Sequence, residues 1–119
     1  ARLGVKRCAS MINWDKVQEL REDIGEEDFS EIVDVFLEEV ETELEALPGT
    51  PRTELGASMH FLKGSALNLG FHDFSEKCRI GEILATQTRA DEINISELRA
   101  CYATSKAHFL QNYDISKSK

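Results

Sequence analysis

Phe29-Ser30-Glu31-Ile32-Val33-Asp34-Val35-Phe36-Leu37-Glu38-Glu39-Val40-Glu41-Thr42-Glu43-Leu44-Glu45-Ala46-Leu47 is the stretch that decides the fold. Phe29, Ile32, Val33, Phe36, Val40, Leu44 and Leu47 recur at three- and four-residue steps and form one wide apolar stripe. That period belongs to a helix, which the sequence places over about Glu26 to Leu47. Its other face carries Glu26, Glu27, Asp28, Glu31, Asp34, Glu38, Glu39, Glu41, Glu43 and Glu45 without one basic residue. The acids of the first turn suit the positive helix end, and those near Glu43 and Glu45 do not. A solvated acidic face is the simpler account of that side.

On either side of this stretch the same period continues, and no segment sustains strand-like alternation. Upstream, a short helix from about Asp15 to Ile24 carries Val17, Leu20 and Ile24 on one side and stops at Gly25. Asp15 or Asn13 is its candidate cap, with Trp14 packing just outside. Downstream, Pro48-Gly49-Thr50-Pro51 makes a tight turn, and a third helix runs from about Pro51 to Leu69, closed by Gly70. A fourth helix, His72 to Gln87, puts Phe74, Cys78 and Leu84 near one face, with Ile80 and Ile83 beside it. A fifth, Asn94 to Tyr113, turns Leu98, Tyr102 and Phe109 inward, capped by Asn94 or Ser96. The fold class is all-α: short connections favour an antiparallel up-down four-helix bundle, with the first helix as an additional short N-terminal element. Residues 1–11 read as a flexible leader, 12–114 as the bundle domain and 115–119 as a frayed tail.

Composition bounds the function. A chain of 119 residues is one domain, and 14 basic against 22 acidic residues give a net charge of −8. Nucleic acid and anionic membrane both require a basic footprint, so neither is an expected partner. No apolar run approaches the length of a membrane span, and the basic opening stretch lacks the apolar segment of a signal peptide. Cys8, Cys78 and Cys101 are an odd number without CxxC spacing, the pattern of a reduced cytoplasmic chain, with Cys78 and Cys101 as small core residues.

The chemistry concentrates in His60-Phe61-Leu62-Lys63-Gly64-Ser65-Ala66-Leu67-Asn68-Leu69-Gly70. At about 100° per residue, Leu55, Met59, Leu62, Ala66 and Leu69 fall in a sector roughly 80° wide, which faces the core. His60 then lies about 140° from the centre of that seam, in solvent, with Lys63 and Gly64 one turn along on the same surface. Leu67 follows on the stripe, and Phe71 extends it if helical geometry persists past Gly70. An exposed histidine, lysine or leucine taken singly needs no explanation. Gly64 does, since a glycine costs about 1 kcal/mol relative to alanine within a helix. A second protein coming close to the imidazole would account for it. Neutral imidazole nitrogen is a nucleophile that accepts a phosphoryl group, and Lys63 is a point cation for the resulting charge. Ser65, at the border of the seam, is either a local hydrogen-bonding group or a small residue that lets helices approach.

His60-Phe61-Leu62-Lys63-Gly64-Ser65-Ala66 followed by Gly70 resembles the H-x-x-K-G-S/A signature of histidine-containing phosphotransfer (HPt) domains, and the likeness extends from about Ile12 to Tyr113. The resemblance implies a four-helix bundle without an ATP site, a phosphoryl carrier and not a conventional enzyme. It implies that His60 is the modified phosphoacceptor, Lys63 the charge-stabilising residue and Gly64 the steric clearance, with Leu67 and Phe71 in the docking surface. The implied partners are response-regulator receiver domains and a sensor histidine kinase, simple or hybrid. No cofactor is implied in this chain, Mg²⁺ being expected on the partner receiver. A cytoplasmic monomer is expected, and the lack of kinase or receiver motifs favours a free-standing protein. A polar residue from the next helix near the phosphohistidine would be Glu82 or His72, and the residues alone do not choose between them.

Competing readings are thin. No GxxxxGK[ST] or GxGxxG occurs, and Lys63-Gly64-Ser65 lacks the preceding glycine. The histidines are His60, His72 and His108, with no Glu-x-x-His pair for a di-iron bundle and no tetrahedral spacing around His72 and Cys78, so no metal site is expected. The remaining alternative is a non-catalytic helical adaptor that binds receiver or kinase domains through the same stripe.

Overall fold

A computed structural model describes residues 11–118, with side chains through Asn112. The described residues include the α-helices α1 (Trp14–Ile24), α2 (Glu26–Ala46), α3 (Arg52–Leu69), α4 (His72–Thr86) and α5 (Ile95–Ser118). Two 3-10 turns, Leu47–Gly49 and Ala90–Glu92, complete the order, and no strand occurs among the described residues. The expected leader falls almost wholly on residues 1–10, outside the described part. Helical backbone in α5 continues to Ser118, beyond the end expected near Tyr113.

Local chemistry sets the boundaries. The Asn13 side chain accepts from the Lys16 amide, capping α1 and leaving Trp14 as its first residue. Gly25, at φ +88°, ends α1 and starts α2 at once. Asn94 Oδ1 accepts from the Glu97 amide at 2.9 Å at the start of α5. The α3–α4 turn governs which side chains those two helices can share. Gly70 adopts φ +86°, its N–H donates to Leu67 O at 3.3 Å, and the Phe71 N–H donates to Ala66 O at 2.8 Å. These are the two hydrogen bonds of a Schellman motif. Asn13 N–H donates to Gly70 O at 2.6 Å, so the start of α1 is pinned on this turn.

The turn corrects one expectation. Helical geometry does not persist past Gly70: the left-handed residue swings Phe71 off the α3 stripe and into the core, where it is fully buried. Its ring packs at 5.2 Å from Phe36 and 5.4 Å from Phe109. Burial of such a side chain contributes about 1.5–3 kcal/mol. Phe71 therefore anchors the core and is no docking residue.

The core otherwise follows the helical pattern. All five seam residues of α3 are buried, as are Phe29, Val33, Phe36, Val40, Leu44 and Leu47, and α5 contributes Leu98, Tyr102 and Phe109. Cys78 is buried, which pushes its thiol up to about 12, while Cys101 is only half-buried. Ile32 departs from the expected stripe and is 42% exposed, at the edge of α2. Ile80 and Ile83 are exposed on the outer side of α4.

Two helix pairs are held in opposite senses. Arg99 of α5 donates to Leu44 O, whereas Tyr102 and Lys106 farther along α5 both donate to Glu41, earlier in α2. Lys106, with help from Tyr102, holds the Glu41 carboxyl below the usual range, and burial pushes the Tyr102 hydroxyl up. In the α3–α4 hairpin, a Cβ on Gly56 would stand 3.2 Å from Ala85 Cβ, and one on Gly81 would stand 2.7 Å from Met59 Sδ. Small residues let these two helices close on one another. That approach sets the reach available to side chains bridging them.

Candidate functional site

His60 stands on the outer face of α3, its side chain 71% exposed. Glu82 reaches it from α4: His60 Nδ1 and Glu82 Oε2 are 2.8 Å apart. Lys63, one turn along from His60, donates to the other oxygen of the same carboxylate at 2.6 Å. One carboxylate therefore bridges the two α3 side chains across the hairpin, and Lys63 and Glu82 are both three-quarters buried. The Lys63 ammonium, followed by the hydrogen bond with His60, holds the Glu82 carboxyl below its ordinary range.

The protons follow from the partners. An ionised carboxylate only accepts, so Nδ1 of His60 is the donor. In the neutral ring the lone pair then resides on Nε2, the nitrogen that Glu82 leaves free. A base with one nitrogen anchored and the other open to solvent is a surface nucleophile of fixed orientation.

Gly64 lies beside it. A Cβ built there meets nothing within 4 Å, so packing within the chain does not demand a glycine. Leu67 is 51% exposed and Phe61 41%, flanking the histidine with apolar surface. His60, Lys63, Gly64 and Leu67 thus share one side of α3, with His60 and Leu67 exposed and Lys63 and Gly64 partly covered, and Phe71 is removed from it. Glu82 is the site residue that sequence reasoning does not separate from His72. His72 is exposed at the start of α4, about 15 Å along the helix from Glu82. A usable signal did exist: in a helical hairpin, residues at similar distances before and after the turn face each other, and His60 and Glu82 satisfy that about Gly70-Phe71. Among the described residues no group of three or more His, Cys, Asp or Glu could hold a metal ion, and no helix is long and apolar enough to cross a membrane.

A family model for the Hpt domain matches residues 31–108. The chain belongs to the Hpt domain family, whose members are phosphocarrier modules of two-component phosphorelays. Comparison with curated proteins gave no match, and comparison with solved structures gave none either.

Proposed function

We propose that this chain relays a phosphoryl group through His60, taking it from a receiver aspartate or a sensor histidine kinase and passing it to a downstream receiver aspartate. The observation that carries this is the bridge through Glu82, which leaves Nε2 of an exposed imidazole as the free nucleophile beside Lys63 and the open backbone of Gly64. In the forward step the Nε2 lone pair attacks phosphorus, the Nε2–P bond forms and the P–O bond of the aspartyl phosphate breaks. The aspartate leaves as carboxylate, so no proton need be delivered to it. The ring keeps its Nδ1 proton and becomes cationic, and the Glu82 carboxylate stabilises that charge. Lys63 neutralises part of the phosphoryl charge, which requires it to turn from Glu82 toward the new group. Transfer onward reverses these steps.

The chain supplies positioning and charge; Mg²⁺ belongs to the partner receiver. The bundle we propose is an antiparallel up-down arrangement of α2 to α5 with α1 across one end, in a domain spanning residues 12–114. It works as a cytoplasmic monomer. The opposed α2–α5 and α3–α4 pairs support that arrangement.

The test is label transfer from a phosphorylated receiver domain to the purified chain, followed as acid-labile, base-stable phosphate. Wild type is expected to take label and His60→Gln to take none. If His60→Gln still accepts phosphate, the proposal fails. A chain that binds receivers and never takes label is an adaptor instead.

A further inference from the structure

At the end of the α3–α4 hairpin away from Gly70 lies a pocket of about 420 Å³, and none of His60, Lys63 and Glu82 lines it. Its origin is local. The two helices close on one another at Gly56 and Ala85, where a Cβ added to the glycine would stand 3.2 Å from that of the alanine. Helix α3 begins about one turn before this contact and α4 ends just after it at Thr86, which leaves a hollow beside both helix ends. The returning chain supplies the remaining wall. Thr88 takes φ +57°, the Arg89 N–H donates to Leu84 O at 2.8 Å, and Ala90 is buried in the 3-10 turn that follows. Gly56, Ala85 and Ala90 give the pocket an apolar floor of small residues. Its volume falls near the lower end of the range of about 300–1,000 Å³ usual for small-molecule sites.

The polar groups around this floor are sorted by sign. Arg52 and Thr53 stand on the α3 side. Every other described Lys or Arg side chain pairs with a carboxylate or, as Arg99 does, donates to a carbonyl, whereas Arg52 does neither. Thr86, Thr88 and Asp91 stand on the side of α4 and the 3-10 turn. The Thr86 hydroxyl donates to Ile83 O and the Thr88 hydroxyl to Gln87 O, so each commits its one proton to the backbone and offers a ligand only lone pairs. The Asp91 carboxylate has no hydrogen bond or ion pair among the described residues, and nearby Arg89 is held by Glu92 through two hydrogen bonds. Arg52 and Asp91 thus line one pocket without pairing with each other. One wall donates and the other accepts. A simple anion would meet Asp91 and a simple cation would meet Arg52, each at the cost of a like charge.

We infer that this pocket binds a small zwitterion with an aliphatic side chain, of the class of the α-amino acids. Arg52 takes the carboxylate in a charge-assisted hydrogen bond, and Asp91 takes the ammonium with the threonine oxygens of its wall. The aliphatic part lies over Gly56, Ala85 and Ala90. The pocket shares no residue with the phosphotransfer site, so binding there is measurable whether or not His60 takes phosphate.

L-leucine and two truncated analogues provide the test. Isocaproate keeps the carboxylate and lacks the ammonium, and isoamylamine is the reverse. Amide chemical shifts of the full chain are followed as each compound is added. Leucine is expected to shift the amides of Gly56, Ala85, Thr88 and Ala90 saturably. It should bind at least about fivefold more tightly than either analogue, since a charge pair in a partly enclosed pocket is stronger than an exposed one. Arg52→Gln should bind leucine no better than wild type binds isoamylamine, and Asp91→Asn no better than wild type binds isocaproate. Both side chains are exposed and hold no other part of the described chain, so each variant should keep the wild-type spectrum away from the pocket. The inference is overturned if leucine gives no saturable shift, if the amides that move lie elsewhere, or if either variant binds leucine as wild type does. Isocaproate binding as tightly as leucine would also overturn it, leaving an anion site in which Asp91 takes no part.

Discussion

Glu82 puts its two oxygens on two different side chains, so its removal has two separable effects. Glu82→Ala frees Nδ1 to be the unprotonated nitrogen and leaves Lys63 unpaired. Hydrogen bonds to charged groups contribute about 1.5–3 kcal/mol, so transfer at His60 is expected to slow by about ten- to a hundredfold in a single-turnover assay. Glu82→Gln retains an acceptor for Nδ1 without the charge and should fall between Ala and wild type. Gly64 gives the opposite kind of prediction. With nothing within 4 Å of a new Cβ, Gly64→Ala should raise stability by up to about 1 kcal/mol in urea unfolding. Gly64→Leu should remain folded and lose receiver-dependent transfer. Loss of folding in Gly64→Leu would mean that the glycine serves the helix and not the partner. At this scale the exposed histidine and its glycine were legible because both follow from helical phase alone. For Glu82 the spacing about the turn indicated only its level opposite His60, since which side of α4 meets α3 depends on the geometry of the turn itself.

The α3–α4 hairpin determines whether those residues meet. Gly70 is required twice: by φ +86°, and by the Asn13 carbonyl 2.7 Å from where a Cβ would stand. Left-handed backbone costs an L-residue about 1–2 kcal/mol, and contact with a backbone oxygen adds to it, so Gly70→Ala is expected to lose roughly 2–4 kcal/mol. Equilibrium urea unfolding measures this. Gly81 is subtler, because what stands in its way is the Met59 side chain, Sδ at 2.7 Å and Cγ at 3.1 Å, flexible side-chain atoms and not backbone. Gly81→Ala should be nearly neutral, whereas Gly81→Leu should part the helices and slow transfer through a displaced Glu82. The α3 seam was legible in full, its five apolar residues having no other face to occupy. Phe71 was misassigned because a Schellman turn resets the helical phase, so extrapolating the stripe past Gly70 pointed the wrong way. Ile32 was misassigned for a different reason: the α2 stripe is wider than the contact its neighbours make with it, so Ile32 at its edge stays exposed.

Across the described residues, four carboxyls sit below the usual range: Glu41 held by Lys106, Glu76 by Arg79, Glu82 by Lys63 and Glu92 by Arg89. A depressed folded pKa contributes stability above the unfolded value of about 4.3, and the contribution is lost as pH falls through the lower folded value. Self-repulsion at a net charge of −8 acts in the other direction, being relieved as acids protonate. Wild type compared with Glu82→Gln isolates the first effect. The melting temperature of wild type should exceed that of the variant at pH 7, and the gap should close below about pH 4. A gap that widens on acidification would contradict the Lys63–Glu82 pairing. All-helical architecture and the site-bearing face were readable from apolar spacing, while the closeness of α3 to α4 depended on where two small residues, Gly56 and Gly81, happened to oppose their neighbours.

Trp14 is the sole tryptophan, and its indole stacks on Phe109 at 5.6 Å with the two planes 2° apart. Asn13, next to it, is tied to Gly70, about 15 Å along α3 from His60. Emission from this one indole therefore reports whether α1 is seated on the bundle and is expected to be indifferent to phosphate on the imidazole. The molecule contains its own optical gauge of integrity. For every variant of the site or the hairpin, fluorescence and phosphate label can be recorded from the same cuvette, so a dead site is told apart from a lost fold without a second preparation.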